Sequence, residues 1–208
     1  MIIWKTGNIF DSTCKTLVNT VNCEGVMGKG LAKQFKEKYE GTLMFKCYQY
    51  ACKYSKYNIN KDNNESLLNQ GGDIYFWYFT KANYADYAEN YENWLPFETI
   101  FDKTLNLNSD NAPKHHILHF ATKEFWRNPS KLEWIERGLY NFAEKDYEYK
   151  GEHFKFWNMG PNTWINGMKT IAWPKLGCTN GGLDWESQVK PLMIKYLEPL
   201  PILCEIYE

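Results

Sequence analysis

Two glycine-rich segments of the chain have the composition of phosphate-binding loops. The first, NTVNCEGVMGKG at 19–30, places three glycines around Lys29, and the second is PKLGCTNGGLDW at 174–185. Glycines let a backbone come close to a phosphate and direct its N–H groups at the oxygens. For either segment alone, tight turns are the favoured explanation. The pair, with Asn19 and Asn22 beside the first, predicts a site for a diphosphate.

The first segment is not the phosphate loop of a nucleotide triphosphatase. Lys29 is followed by Gly30, where that loop needs Ser or Thr, and the G-x-x-x-x-G-K spacing is missing. The dinucleotide-binding pattern G-x-G-x-x-G is missing as well. The predicted diphosphate therefore belongs to another class of ligand.

The elements around these segments indicate how the two could meet. Short runs of β-branched and aromatic residues alternate with helix-like segments, which favours an α/β sandwich around a largely parallel sheet. The predicted strands are Ile2–Trp4, Thr16–Val21, Ile74–Phe79, Ile117–Ala121, Thr170–Trp173 and Ile202–Tyr207, and the predicted helices are Lys29–Tyr39, Leu43–Lys53, Ser130–Lys145 and Glu186–Leu197. Each glycine segment follows a strand and precedes a helix, so both can border the crevice where open α/β sheets bind ligands.

Composition indicates a folded protein without a strong overall charge. The 208 residues are 44% hydrophobic and 17% aromatic, and the net charge is −1, so nucleic acid would need a local patch. We expect one domain with insertions at about 56–72, a polar surface loop from 58 onward, and at about 80–113 and 146–168. Six cysteines without a C-x-x-C pair, no signal peptide and no long apolar run predict a cytoplasmic protein that does not contact membranes.

Four segments together resemble the macrodomain family. They are GNIF at 7–10, LVNTVNCEGVMGKGLA at 17–32, HFATKEFWR at 119–127 and PKLGCTNGGLDW at 174–185, and they come in the family's order. The second is the most specific, and it is similar to the DarG branch, whose macrodomain removes ADP-ribose from thymidine bases in DNA. The resemblance implies a three-layer α/β/α sandwich around a mixed, largely parallel six-stranded sheet.

The resemblance also implies an ADP-ribose site. Residues 8 and 9 would lie near the adenine, Asn22 would bind the distal ribose, and the backbone of 28–30 would wrap this ribose and the neighbouring phosphate. Residues 176–182 would form the phosphate loop. The full set of expected contacts is Asn8, Ile9, Asn19, Asn22, Gly28, Lys29, Gly30, Leu31, Leu176, Gly177, Cys178, Thr179, Asn180, Gly181 and Gly182.

Lys123, in the segment ATKEFWR, stands where this branch has its essential lysine. Cleaving the bond between an anomeric carbon and a base nitrogen needs a base that activates water or a nucleophile. A partly desolvated lysine with a lowered pKa can serve as either, the second through a Schiff base. The human terminal ADP-ribose glycohydrolase, a distant relative, pairs its lysine with an aspartate where this chain has Gly181. We therefore expect Lys123 to act alone and Asp184 to cap the following helix.

The remaining reactive side chains are expected to be structural. His115, His116 and His119 fall on one strand-like segment, where the second points away from the other two, so no metal site is expected. Cys178 lies in the second glycine segment but has no evident histidine partner, and we expect it to pack rather than react. No cofactor is expected.

The function favoured by these residues is an ADP-ribosyl glycohydrolase that acts on thymidine in single-stranded DNA and counters a DarT-type toxin. Trp126 and Arg127 directly follow the catalytic candidate and would contact the DNA. Removal of ADP-ribose from protein carboxylates stays open, as does a non-enzymatic ADP-ribose reader or sponge. Lys123 favours an enzyme, because a binder needs no amine at the anomeric carbon. The expected partners are ADP-ribose, ADP-ribosylated single-stranded DNA and a DarT-like toxin.

Overall fold

The structure is a computed structural model that describes residues 1–40, 42, 44–57, 68–77, 114–149, 152–156 and 168–208. The strands are β1 (Ile2–Lys5), β2 (Thr16–Val21), β3 (Ile74–Trp77), β4 (His116–Ala121), β5 (Asp146–Tyr149), β6 (Glu152–Lys155), β7 (Thr170–Pro174) and β8 (Leu203–Tyr207). The helices are α1 (Gly30–Lys38), α2 (Met44–Tyr57), α3 (Leu132–Ala143) and α4 (Lys190–Leu197). A 3-10 turn covers Ile9–Asp11, and a π-helical turn, Trp185–Val189, leads into α4.

Six of the strands form one sheet in the order β1–β8–β7–β2–β4–β3. Neighbouring strands are parallel except for β3, which runs antiparallel to β4. The mixed, largely parallel six-stranded sheet expected from the sequence is therefore confirmed. The strand predicted at Thr16–Val21 has the bounds of β2, and the other five predicted strands lie within two residues of the observed ones.

Alternation along the strands builds one core on each face of the sheet. Leu17 and Val21 of β2 pack with α1 and α2, whereas Val18 of β2 and Leu118 and Phe120 of β4 pack with α3 and α4. Side chains in a strand alternate between its two faces, so a sheet that is apolar on both faces needs a helical layer on each. The three-layer α/β/α arrangement is confirmed.

Parts of the three expected insertions fall within the described residues. At the end of the first, Asn69 and Gln70 are exposed, whereas Leu68 is fully buried and a Cβ at Gly71 would lie 2.2 Å from the Trp134 ring. The second, 80–113, lies outside the described residues, as does 157–167 of the third. At the start of the third, β5 and β6 pair antiparallel as a hairpin that the sequence analysis did not predict.

The topology brings several loops to one edge of the sheet. β1, β2, β4, β7 and β8 all run in the same direction, so their carboxyl ends lie side by side. The loops that follow β2, β4 and β7 contain the first glycine segment, Lys123 and the second glycine segment. In the part of the chain that the structure describes, no helix is both long and apolar enough to cross a membrane.

Candidate active site

The carboxyl ends of the parallel strands open into one cleft of about 1200 Å³. Its walls come from the loops after β1, β2, β4 and β7, with Tyr207 and Glu208 from the end of β8. Most residues expected to bind ADP-ribose line this cleft, namely Asn8, Ile9, Asn22, Gly28, Lys29, Gly30, Leu31, Gly177, Cys178, Thr179, Asn180 and Gly181. Lys123, Trp126 and Arg127 line it as well. Segments far apart in the sequence thus share one site.

The loop after β2 is held in place by side chains. Asn22 Oδ1 accepts hydrogen bonds from the backbone N–H groups of Glu24 (2.9 Å) and Val26 (3.4 Å), and its Nδ2 donates to the Val26 carbonyl (2.6 Å). From α2, the Tyr48 hydroxyl donates to the carbonyl oxygen of Asn22 (2.9 Å) and to its Oδ1 (3.1 Å). Because an amide nitrogen carries two hydrogens, one N–H of Asn22 remains for a ligand.

The loop after β7 is held in place by backbone hydrogen bonds, one within the loop and one from the loop before α3. The carbonyl of Gly177 accepts from the N–H of Leu183 (3.1 Å), and that of Gly181 accepts from the N–H of Ser130 (2.9 Å). Gly177 has a φ of +68°, a conformation that favours glycine. A Cβ at Gly181 would lie 2.1 Å from the Gly177 oxygen and 2.3 Å from Ser130 Oγ. Glycine is therefore required at both positions by the loop's shape.

Asn180 brings the two glycine loops together across the cleft. A Cβ at Gly30, where φ is +61°, would lie 2.3 Å from Asn180 Nδ2, so α1 begins against the tip of the opposite loop. The carbonyl oxygen of Asn180 accepts a 2.5 Å hydrogen bond from Lys123 Nζ. The loops after β2, β4 and β7 thus converge on one residue.

The surroundings of Lys123 favour loss of its proton more than water does. Burial, and after it the positive charge of Lys29, lowers the pKa of the Lys123 ammonium below its ordinary value. The loop that carries it continues alongside the first glycine loop, because the Cys23 N–H donates to the carbonyl of Glu124 at 3.0 Å. Within the described residues, no ion pair joins Lys123 to a carboxylate.

The cleft is electropositive. The basic side chains that line it are Lys29, Lys123, Arg127 and Lys175. Among the lining residues the structure describes, the one carboxylate is Glu208, which accepts from Trp185 Nε1 (3.0 Å) and pairs with Lys190 Nζ (3.2 Å). Backbone N–H groups, glycines and unbalanced positive charge together suit an anionic ligand such as a diphosphate.

Similar proteins were found in both sequence and structure, although no family model matches the chain. The chain is 30% identical, over 97% of its length, to a DNA ADP-ribosyl glycohydrolase of Mycobacterium tuberculosis. It is 33% identical, also over 97% of its length, to a DNA ADP-ribosyl transferase–DNA ADP-ribosyl glycohydrolase fusion protein of Thermosipho africanus. It spans 40% of the length of each of these curated relatives.

Solved structures of DarG proteins are also similar to this chain. The macrodomain of Mycobacterium tuberculosis DarG superposes with a TM-score of 0.61 at 29% identity, covering 100% of this chain and 97% of that one. Thermosipho africanus DarTG in complex with ADP-ribose gives a TM-score of 0.62 at 29% identity, over 99% of this chain and 41% of that one. The chain is a macrodomain of the DarG type. The family inferred from its four segments is confirmed.

Three residues expected to contact ADP-ribose do not line the cleft of this macrodomain. Asn19 is buried beneath it, with Nδ2 3.4 Å from His119 Nδ1 and 3.9 Å from Met27 Sδ. Leu176 belongs to the core under the second loop. Gly182 is exposed, with a φ of +80° and no heavy atom within 4 Å of where its Cβ would be. That these three residues contact ADP-ribose stays a prediction.

The other reactive side chains of the macrodomain have surroundings that indicate structural roles. Asp184 Oδ1 accepts from the backbone N–H of Ser187 at 2.7 Å, so it caps the turn before α4 as expected. Burial raises the pKa of Cys178 to about 11, which keeps this thiol protonated. Burial also lowers the pKa of His119 to about 3, and its ring stacks on Tyr48. No metal-binding group of three or more His, Cys, Asp or Glu residues occurs in the described ranges.

Several residues that line the cleft were not predicted from the sequence. They are Gly7, Thr20, Val21, Val26, Ala32, Gln34, Thr122, Pro174, Lys175, Tyr207 and Glu208. One signal could have found some of them, since Lys175 and Glu208 follow predicted strands whose ends had to share an edge with the glycine loops. Gln34 lies one helical turn after Gly30, a spacing that returns a side chain to the same face.

Proposed function

We propose that this macrodomain is an ADP-ribosyl glycohydrolase that removes ADP-ribose from thymidine bases of single-stranded DNA and counters a DarT-type transferase. The observation that carries the proposal is Lys123, a partly buried amine with a lowered pKa at the edge of a basic, glycine-lined cleft. The names of the relatives, DNA ADP-ribosyl glycohydrolase, support the substrate class. The ADP-ribose complex of the Thermosipho africanus protein supports the ligand.

The cleft fits ADP-ribose in one orientation. The diphosphate lies between the backbones of Gly28–Gly30 and Gly177–Gly181, where N–H groups and Lys29 and Lys175 surround it. The adenine lies toward Asn8, whose Oδ1 already accepts from the N–H of Phe10 at 3.0 Å, which leaves the amide N–H groups for the base. The distal ribose then lies beside Lys123, at the opposite end of the diphosphate.

The neutral amine of Lys123 can break the glycosidic bond in two ways. As a base, it takes a proton from water while the water oxygen bonds to the anomeric carbon and the thymine nitrogen leaves with the bonding electrons. As a nucleophile, its nitrogen bonds to the anomeric carbon itself, thymine leaves, and water later hydrolyses the Schiff base of the opened ribose. Either route ends with free ADP-ribose, a thymine nitrogen that regains its proton, and the amine restored.

The test compares two substrates side by side, a single-stranded oligonucleotide and a protein, each carrying ADP-ribose. We expect release from the oligonucleotide, and a loss of roughly 100- to 10,000-fold in Lys123→Ala, with ADP-ribose affinity by calorimetry largely kept. Lys131→Ala is the matched control, because Lys131 is exposed on the same loop, pairs with Glu133 and lies outside the cleft. Borohydride added during turnover should leave an adduct on Lys123 only if the Schiff base forms.

Three outcomes would contradict the proposal. Full activity in Lys123→Ala would refute both routes. Release from protein alone would assign a carboxylate substrate, and tight binding without release from either substrate would make the domain a reader of ADP-ribose. The toxin partner is tested separately, since coexpression with a DarT-type transferase should restore growth with the wild-type chain and fail to do so with Lys123→Ala.

A further inference from the structure

Two large aromatic side chains that follow each other in the chain are exposed, and the second borders the cleft. Phe125 is 51% exposed and Trp126 is 50% exposed, although most large apolar side chains described in the structure are buried. Both follow Lys123 within three residues, and Trp126 itself lines the cleft. Adjacent aromatic rings left in water beside a ligand site are typical of a contact surface.

The pair is held in place by the loop around it. The Trp126 N–H donates to Glu24 Oε2 at 2.8 Å, which ties it to the first glycine loop, and the Asn128 N–H closes a turn on the carbonyl of Phe125 at 3.1 Å. The Arg127 guanidinium lies 4.7 Å from the centroid of the Trp126 ring. It covers part of the indole and places a positive charge beside the Trp126 ring.

We propose that Phe125 and Trp126 form a stacking platform for a nucleobase next to the ADP-ribosylated thymidine, with Arg127 bound to an adjacent phosphate. This inference rests on the proposed function and describes how the enzyme would bind the DNA around the modified base. Single-stranded DNA is the occupant, because its unpaired bases expose the flat faces that aromatic rings need and its phosphates complement the charge of Arg127. A duplex keeps its bases stacked inside and cannot offer them to this surface.

Kinetics on two DNA substrates of different length test the platform. ADP-ribosyl-thymidine mononucleotide occupies the cleft alone, whereas a single-stranded oligonucleotide with the same modified base also reaches the platform. For Phe125→Ala we expect kcat/KM on the oligonucleotide to fall by about 5- to 100-fold while the mononucleotide reacts at the wild-type rate. Wild-type protein should show a loss of similar size when the bases flanking the modified thymidine are replaced by abasic sites.

Matched controls separate the platform from general effects. Tyr140→Ala removes a similarly exposed aromatic ring from α3, away from the cleft, and should leave both substrates unaffected. Binding of an unmodified fluorescent oligonucleotide, measured by anisotropy, provides a readout that needs no hydrolysis. Phe125→Ala and Trp126→Ala should weaken this binding, and a duplex of the same sequence should bind weakly to every variant.

The results of the two assays are distinguishable. In one outcome, wild-type protein binds the oligonucleotide through the platform and releases no ADP-ribose. That result would contradict the proposed hydrolase activity and support the platform. Wild-type activity and affinity in both Phe125→Ala and Trp126→Ala would overturn the platform and leave the hydrolase standing, with the exposed rings then assigned to a protein partner. Equal losses of Phe125→Ala on mononucleotide and oligonucleotide would also overturn it.

Discussion

The two glycine loops border the same cleft but are built in different ways. The loop after β2 is shaped by side chains, with the Asn22 amide folded into it and the Tyr48 hydroxyl supporting it from α2. The loop after β7 is shaped by its backbone, with Gly177 in a conformation that favours glycine and Gly181 packed against neighbours that leave no space. One loop depends on a helix elsewhere in the chain, and the other depends on glycine at positions 177 and 181.

This difference predicts two kinds of sensitivity. A buried hydroxyl can be removed with little change of shape, so damage to the first loop should be graded. A methyl group placed where no space exists forces the backbone itself to move, so damage to the second loop should be abrupt. Since backbone N–H groups are the proposed diphosphate contacts, a moved backbone affects binding directly.

Among substitutions in the two loops, the largest loss of ADP-ribose affinity is expected from Gly181→Ala. Its added methyl would lie within 2.3 Å of both the Gly177 oxygen and Ser130 Oγ, so the loop must shift at a cost of about 1–3 kcal/mol. We expect the affinity for ADP-ribose, measured by calorimetry, to fall by roughly 10- to 100-fold.

Gly182→Ala is the matched control for this change. It sits one residue later, in open space outside the cleft, and a φ of +80° makes alanine strained there by about 1 kcal/mol. It should lower the melting temperature and leave ADP-ribose affinity close to that of the wild type. Equal affinity losses in the two variants would mean that backbone strain, rather than the crowded packing at Gly181, sets the loop's shape.

A smaller effect is expected from Tyr48→Phe, which removes the support of the first loop. Burial raises the pKa of the Tyr48 phenol, so the hydroxyl stays a donor to Asn22 across the working pH range. Its loss should cost about 1–2 kcal/mol of stability and weaken ADP-ribose binding by about 5- to 10-fold. Tyr39→Phe is the control: its buried hydroxyl bonds His115 at 3.0 Å, away from both loops, so stability should fall while affinity holds.

The difference between the loops also explains what the sequence could predict. Glycine spacing and strand alternation are local signals, which is why β2 and the two loops that border the cleft could be predicted. The position of Lys123 in the cleft was also predicted, whereas its catalytic role stays a prediction. Tyr48 carried no signal, because a tyrosine inside an amphipathic helix is ordinarily core, and its contact with Asn22 spans 26 residues. Asn19 and Gly182 were assigned to the ligand because their neighbours are there, although strand pleating and loop curvature turn them away. Burial of Leu68 likewise depends on distant contacts that no local pattern reveals.

The smallest effect is a shift in the pH dependence of the reaction, which is expected from Lys29→Gln. This variant tests whether the first loop influences the reactivity of Lys123 as well as ligand binding. Lys29 lines the cleft, and its positive charge is, after burial, the second influence that lowers the pKa of Lys123. The amine reacts only when neutral, so kcat/KM should rise with pH through the lowered pKa and then level off. Removing the Lys29 charge raises that pKa, so a smaller fraction of the amine is neutral at any pH below it.

The expected result for Lys29→Gln is a pH–rate profile displaced to higher pH, with a plateau that still measures the reactivity of the neutral amine. Affinity for ADP-ribose also falls when a cleft charge is lost, but a loss of binding lowers the whole profile without moving its midpoint. Lys33→Gln changes the net charge equally from α1, where Lys33 is exposed, pairs with Glu37 and lies outside the cleft, and it should leave the midpoint in place. If both variants keep the wild-type midpoint, burial alone sets the pKa of Lys123, and the first loop serves binding only.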